Sequence, residues 1–199
     1  MAERVDEKIL DFINAMEAKE ARKDIKNGPI KILDRYYEFE ETEFFDGKVK
    51  MYIPKDFEDM QLETRKLNYP PENGPDIIKC NEKVDTRMTL NIIGSPLDEE
   101  HVEKLKDGMK ERVKNTNPIN IFYEDGVLEV DSKNIGFFEF KSYTIEGPLC
   151  NLMFFLEFEG KALMGTFSCP YAEYGEWRYI AFQVIKTIRV IKEDKGDEN

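Results

Sequence analysis

Apolar positions along the chain recur with two periods, and the switches between them divide it into elements. From residue 3 to about 23, Val5, Ile9, Phe12, Ile13 and Met16 fall at helical spacing with charged residues between them, which predicts an amphipathic helix. Asn27-Gly28-Pro29 ends it. From Ile30 the period drops to two. Ile30, Ile32 and Tyr36 begin an alternating stretch that runs up to Phe45-Asp46-Gly47-Lys48, and Val49, Met51 and Ile53 alternate after it. An Asp-Gly pair between two alternating runs predicts a hairpin, and Pro54 closes its second strand. Over 56–67, Phe57, Met60 and Leu67 are loosely helical and predict a short helix.

Tyr69-Pro70-Pro71-Glu72-Asn73-Gly74-Pro75 follows, a loop whose prolines lack donors and so cannot lie inside a sheet. Strands are predicted near 76–81 and 86–93. Ser95-Pro96-Leu97-Asp98 reads as a helix start: Ser95 as cap, Pro96 in the first turn and Asp98 completing a capping box. Val102, Leu105, Met109 and Val113 continue the apolar stripe until Asn117-Pro118 breaks it. Strands near 119–124, 127–131, 135–145, 150–158 and 161–168 come next. Asp125-Gly126, Gly147-Pro148 and Glu159-Gly160 separate them as turns, the pattern of an antiparallel meander. Trp177, Ile180, Ala181, Val184, Ile185 and Ile188 then give a helix over about 174–189 one wide apolar face.

The order predicts an α+β fold, a mostly antiparallel sheet flanked by helices. The division expected is residues 1–28 as an N-terminal amphipathic helix, 29–191 as a single α+β domain and 192–199 as a charged tail. With 199 residues and 41% hydrophobic positions the chain can bury a sufficient core without disulfide or metal staples.

Charge changes the picture of partners. Forty-one acids against 29 bases give a net charge of −12, a field that repels phosphate backbones and anionic lipid. Nucleic-acid binding is therefore not expected, and no apolar run reaches the roughly 18 residues of a membrane span, so membrane insertion is not expected either. Cys80, Cys150 and Cys169 are odd in number and form no C-x-x-C pair, which fits buried free thiols in a reducing compartment. The N-terminus lacks the apolar core of a secretory signal. A cytoplasmic protein is expected.

Catalytic chemistry finds little to use. His101 is the one histidine, falls within the predicted helix and reads as a surface residue; no second histidine or His/Cys cluster could complete a metal site or a nucleophile–base pair. Neither a Walker sequence nor G-x-G-x-x-G is present, and there is no D-x-D-x-D-G loop for calcium. No catalytic, cofactor or metal residue is assigned, and no cofactor is expected. A hydrolase built on two carboxylates would need a pair about 5–10 Å apart, which only geometry can reveal.

Surfaces remain. Glu38, Glu40, Glu41 and Glu43 form an acidic run among Phe39, Phe44 and Phe45, as on an edge strand, and could steer a basic partner. Tyr69, Tyr171 and Tyr174 sit at predicted element ends, where tyrosine favours partner contacts.

The run Val49-Lys-Met-Tyr-Ile-Pro-Lys-Asp-Phe57, the proline loop, the helix after Ser95-Pro96, and Leu163-Met-Gly-Thr-Phe-Ser-Cys169 before a helix with Trp177 resemble the PsbP/Mog/DcrB superfamily over roughly residues 30–190. The resemblance implies an antiparallel sheet flanked by helices and a non-enzymatic binding role, as in a Ran-interacting factor, a photosystem extrinsic subunit and bacterial chaperones for secreted effectors. None of its motifs defines a functional residue. The expected function is a cytosolic protein-binding module, an adaptor or a chaperone for a secreted protein. An immunity protein that neutralises a toxin and a paired-carboxylate hydrolase are the alternatives.

Overall fold

A computed structural model describes residues 24–69 and 74–191. The helix predicted over 3–23, residues 70–73 of the proline loop and the tail 192–199 lie outside the described residues. In chain order the strands are β1 (Ile30–Ile32), β2 (Arg35–Tyr37), β3 (Phe39–Phe44), β4 (Val49–Pro54), β5 (Glu58–Asp59), β6 (Ile77–Cys80), β7 (Arg87–Pro96), β8 (Ile121–Val130), β9 (Lys133–Thr144), β10 (Gly147–Phe158), β11 (Lys161–Pro170) and β12 (Arg189–Val190). The helices are α1 (Leu62–Asn68), α2 (Val102–Thr116) and α3 (Tyr174–Lys186).

Seven strands make one antiparallel sheet in the order β5-β6-β7-β11-β10-β9-β8, and β12-β4-β3 make a second, with β1 and β2 as a separate hairpin. The α+β architecture predicted from the pattern is the one observed. Register puts alternate residues of each strand on opposite faces. On one face, Leu152, Phe154, Leu156, Leu163 and Phe167 pack with Trp177, Ile180, Ala181, Val184 and Ile185 of α3 and with Val49, Met51 and Ile53 of β4. On the other, Phe138, Phe140 and Phe155 pack under Leu105, Met109 and Val113 of α2. The unbroken apolar run Leu152 to Leu156 follows, because β10 is covered on both faces there. Each such buried side chain contributes roughly 1.5–3 kcal/mol of transfer free energy.

Local chemistry redirects several predicted boundaries. The long alternating stretch after Ile30 is broken at Leu33, whose positive φ of 54° turns the chain into the β1–β2 hairpin before β3 begins. Ser95 and Pro96 end β7, where Pro96 sits opposite Lys161, so they do not start a helix. Asp98 is the residue that caps: its Oδ1 accepts from the His101 backbone N–H at 3.0 Å, a short 3₁₀ turn follows, and α2 starts at Val102. Asp125-Gly126 is not a hairpin turn. β8 runs through it with an irregularity between Phe122 and Asp125, and the reversal to β9 comes at Asp131 and Ser132, both at positive φ. Gly147-Pro148 lies inside β10, and the reversal is at Ile145 and Glu146. Asp46-Gly47 and Glu159-Gly160 are turns as predicted. In 56–67 only the end is helical: Phe57 and Met60 are buried ahead of α1.

Asp125 has a role that explains its place. Lys106 of α2 is buried, reaching Asp107 at 2.8 Å and Asp125 at 3.0 Å, while Lys110 donates to the other Asp125 oxygen. The helix approaches closely because β9 carries Gly136 beneath it, where a Cβ would lie 2.9 Å from that of Lys106. Hydrogen bonds from Lys110 and Lys106 hold the Asp125 carboxyl below its usual range. A depressed carboxyl stabilises the fold above its unfolded value of about 3.9 and loses that contribution as pH falls through the folded value. Asp125→Asn should therefore lose less stability than the wild type between about pH 5 and about pH 3, read from urea midpoints. Equal losses would remove Asp125 from the acid lability of the fold.

All three cysteines are free and buried, and burial pushes the Cys150 thiol up to about 12 and raises Cys80 and Cys169 as well. No helix among the described residues is long and apolar enough to cross a membrane.

Candidate functional site

The residues singled out as partner contacts separate into three places. Tyr69 is half-buried against Met60, Ile78 and Cys80, with the Arg87 guanidinium 5.8 Å from its ring centroid, so it is largely a packing residue. The acidic run begins at Glu38, just before β3, and continues along β3, an outer strand of the small sheet, and most of its charge is met. Glu43 pairs with Lys50 at 2.6 Å, Glu38 with Lys55 at 3.6 Å and Glu41 with Arg189, which leaves Glu40 exposed. Tyr171 and Tyr174 come together at the end of the large sheet where β8 begins and β9 and β11 end.

There they join residues that sequence reasoning missed. Pro170 ends β11 into a 3₁₀ turn that carries Tyr171, and Tyr174 opens α3. The irregularity in β8 lets Tyr123 stack on Tyr174 at 5.8 Å, and Tyr171 stacks on Tyr174 at 6.4 Å. Lys141 of β9 places its ammonium 3.7 Å from the Tyr171 ring centroid and 5.1 Å from that of Tyr143. Burial, and then a hydrogen bond with Tyr171, pushes the Tyr123 phenol up to about 12. Ile119 and Ile121 lie beside Tyr123 in the chain, and Ile145 sits at the tip of the β9–β10 turn, fully exposed. Of the twelve exposed large apolar residues described, six (Ile119, Ile121, Tyr123, Tyr143, Ile145 and Tyr171) belong to this one corner. Clustering of this kind is what marks a contact surface, because isolated exposed apolar residues are ordinary.

Beneath the tyrosines lies a buried charge. Glu139 of β9 is 2% exposed. It accepts from the Tyr174 hydroxyl at 2.6 Å and from Arg178 Nε at 3.0 Å and Nη2 at 2.9 Å, while Arg178 also reaches Glu124 of β8. Burial, with Glu139 adding to it, raises the Tyr174 phenol, so this hydroxyl stays protonated as a donor. The network fixes the first turn of α3 against β9 and thereby holds Tyr174 at the centre of the stack.

Arg178 and Glu124 continue into a groove of about 650 Å³ between α3 and β8, lined also by Ile25, Leu128, Phe137, Tyr179, Phe182 and Lys186. The Phe182 ring stands edge-on to Phe137 at 5.1 Å. A second concavity of about 540 Å³ gathers Asp56, Glu58, Asp59 and Glu82 with Arg35; there Asp56 is paired with Arg35, and Asp59 with Lys79 at 3.0 Å. His101 is exposed and bonded to Asp98 at 2.6 Å.

The solution structure of cyanobacterial PsbP (CyanoP) from Synechocystis sp. PCC 6803 superposes with a TM-score of 0.57 at 9% identity, covering 83% of this chain and 99% of that one. The fold is PsbP-like. A crystal structure of a protein from Bacteroides thetaiotaomicron VPI-5482 matches with a TM-score of 0.51 at 12% identity, over 77% of this chain and 48% of that one. No family model and no curated protein matches the sequence. Likeness at such identity concerns backbone alone, so the tyrosine corner on this PsbP-like frame is a property of this chain's own residues.

Proposed function

We propose that this chain is a non-enzymatic, cytoplasmic protein-binding module, of the adaptor or chaperone kind, and that the tyrosine corner is its contact surface. The observation that carries the reading is the gathering of six exposed apolar and aromatic side chains at one corner of the sheet. Tyrosines in such a place bring large amphipathic area at low entropic cost, and they dominate interface energies when a partner excludes water from them. Their stack is held in advance by Tyr174, Glu139 and Arg178, so little ordering remains to be done on binding. The net charge of −12 favours a basic protein over nucleic acid or anionic lipid.

The test is capture of a partner from native extract on immobilised protein, followed by affinity measurement on that partner. Tyr143→Ser and Tyr171→Ser should each weaken binding by about tenfold or more, roughly the 1.4 kcal/mol expected of a contact at the centre of an interface. Leu62→Ser and Leu67→Ser, more exposed than either tyrosine but on α1, should leave it unchanged. If the α1 variants weaken binding as much as the tyrosine variants do, the corner is not the contact surface.

A further inference from the structure

The form of the partner segment can be argued from β8, given the reading of the chain as a binding module. β8 is the outermost strand of the seven-stranded sheet and, among the described residues, pairs only with β9. The other outer strands of the two larger sheets are guarded against pairing. β5 and β12 are two residues long. β3 directs Glu40 to the same side of its sheet as the buried Ile53 opposite it, so an added strand would have to cover that charge. β8 is ten residues long, and its final five, Gly126–Val130, run in unbroken register against Phe137 to Lys133.

Two faces of this segment differ in chemistry. Leu128 and Val130 face α3 and pack on the main core, beside the groove lined by Phe137, Tyr179 and Phe182. Val127 and Glu129 face the α2 side and are exposed. Residues 121–131 hold four acids and no base. Glu124 is bound by Arg178, and Asp125 by Lys106 and Lys110, whereas Glu129 and Asp131 form no ion pair among the described residues.

We propose that β8 receives an extended segment of a partner protein as an eighth strand, apolar on its α3 side and lysine- or arginine-bearing on its α2 side. Main-chain hydrogen bonds to the open edge supply affinity, and alternate side chains supply specificity. Apolar residues of the added strand lie beside Leu128 at the groove, the next ones along reach the tyrosine corner, and the intervening bases face Glu129. Charge selects this occupant over a second copy of the chain, because two copies would bring two acidic strands together on proteins that each carry −12.

The test uses the full chain and a fluorescein-labelled decapeptide of alternating valine and lysine, read by anisotropy at about 0.15 M salt. The controls are the same composition in two blocks, and alternating valine and glutamate. The alternating valine–lysine peptide should bind at least about tenfold tighter than either control. N-methylation of the amides along one edge of the peptide should abolish binding, while methylation of the other edge should not, and exchange should slow at the amides of 121–130 that point away from β9. Equal binding of the block peptide would reduce the effect to charge attraction and overturn the proposal. So would slow exchange, in the free chain, of the β8 amides that point away from β9, whether a second copy or the chain itself is the cause. A failed peptide alongside intact dependence on Tyr143 and Tyr171 overturns strand addition alone, whereas loss of that dependence overturns the contact surface on which it rests.

Discussion

Gly165→Val leaves the chain unable to hold its native fold, and Gly165→Ala lowers its unfolding free energy by about 3 kcal/mol or more, at the upper end of overpacking costs. Gly165 lies in β11 directly opposite Phe154 of β10, and both are buried. The Phe154 ring lies across the glycine so closely that a Cβ would meet Cζ at 1.9 Å and both Cε atoms at 2.4 Å. Sideways movement of the ring is blocked by the core around it, which includes Leu152, Leu156, Leu163 and Phe167. A whole domain is stable by only about 5–15 kcal/mol, so a branched side chain there removes most of what is available. The assignment to this contact is checked by a double-mutant cycle. In the Gly165→Ala background, Phe154→Leu should cost much less than it does alone, and could even restore stability, because the clash leaves with the ring. If Gly165→Ala unfolds in urea within about 1 kcal/mol of the wild type, the ring does not depend on the glycine.

Legibility of the fold in the sequence followed how local each determinant is. β9, β10 and β11 were readable from their apolar, strand-forming stretches, and Glu159-Gly160 is a reversal that two residues dictate, whereas Gly147-Pro148 lies inside β10. Asp125-Gly126 carries the same signal and misleads. Its aspartate is bound by Lys106 and Lys110, and a Cβ on its glycine would lie 3.3 Å from the Phe137 ring. Tertiary contacts made the pair an irregular stretch of strand instead of a turn. Ser95-Pro96 misled in the same manner, since pairing with β11 outweighed a favourable helix start. The acidic run looked like an open surface because Arg189, which answers Glu41, is 148 residues away in the chain. Tyr171 and Tyr174 were visible at an element boundary. Tyr123 and Tyr143 were not, because inside alternating strands a tyrosine reads the same on a covered and an uncovered face. That α3 stops short of covering β8 is settled only when helix and sheet are packed together.

Arg178→Met should destabilise the chain by about 3–5 kcal/mol, although the arginine itself is partly exposed. The cost arises at the other end of the pair. Glu139 is buried, and Arg178 supplies its cation and all but one of its hydrogen bonds, leaving only the Tyr174 hydroxyl when the guanidinium is gone. A carboxylate stranded in that way carries its desolvation without compensation. Glu139→Leu is the milder change: Arg178 keeps Glu124 and can turn to solvent, and the hydroxyl of Tyr174 keeps the guanidinium as a neighbour. The pair Glu139→Leu/Arg178→Met removes both charges, and should recover much of what Arg178→Met loses, to within about 1–2 kcal/mol of the wild type, since well-packed apolar groups often match a buried ion pair. Recovery of stability need not restore binding. Without Glu139 the Tyr174 ring has no anchor under the stack, so the double variant should fold and still bind the partner less tightly than the wild type. A double variant as unstable as the sum of the two single ones would show that Glu139 and Arg178 act separately, and that the first turn of α3 is positioned by packing of Trp177 and Ile180 alone.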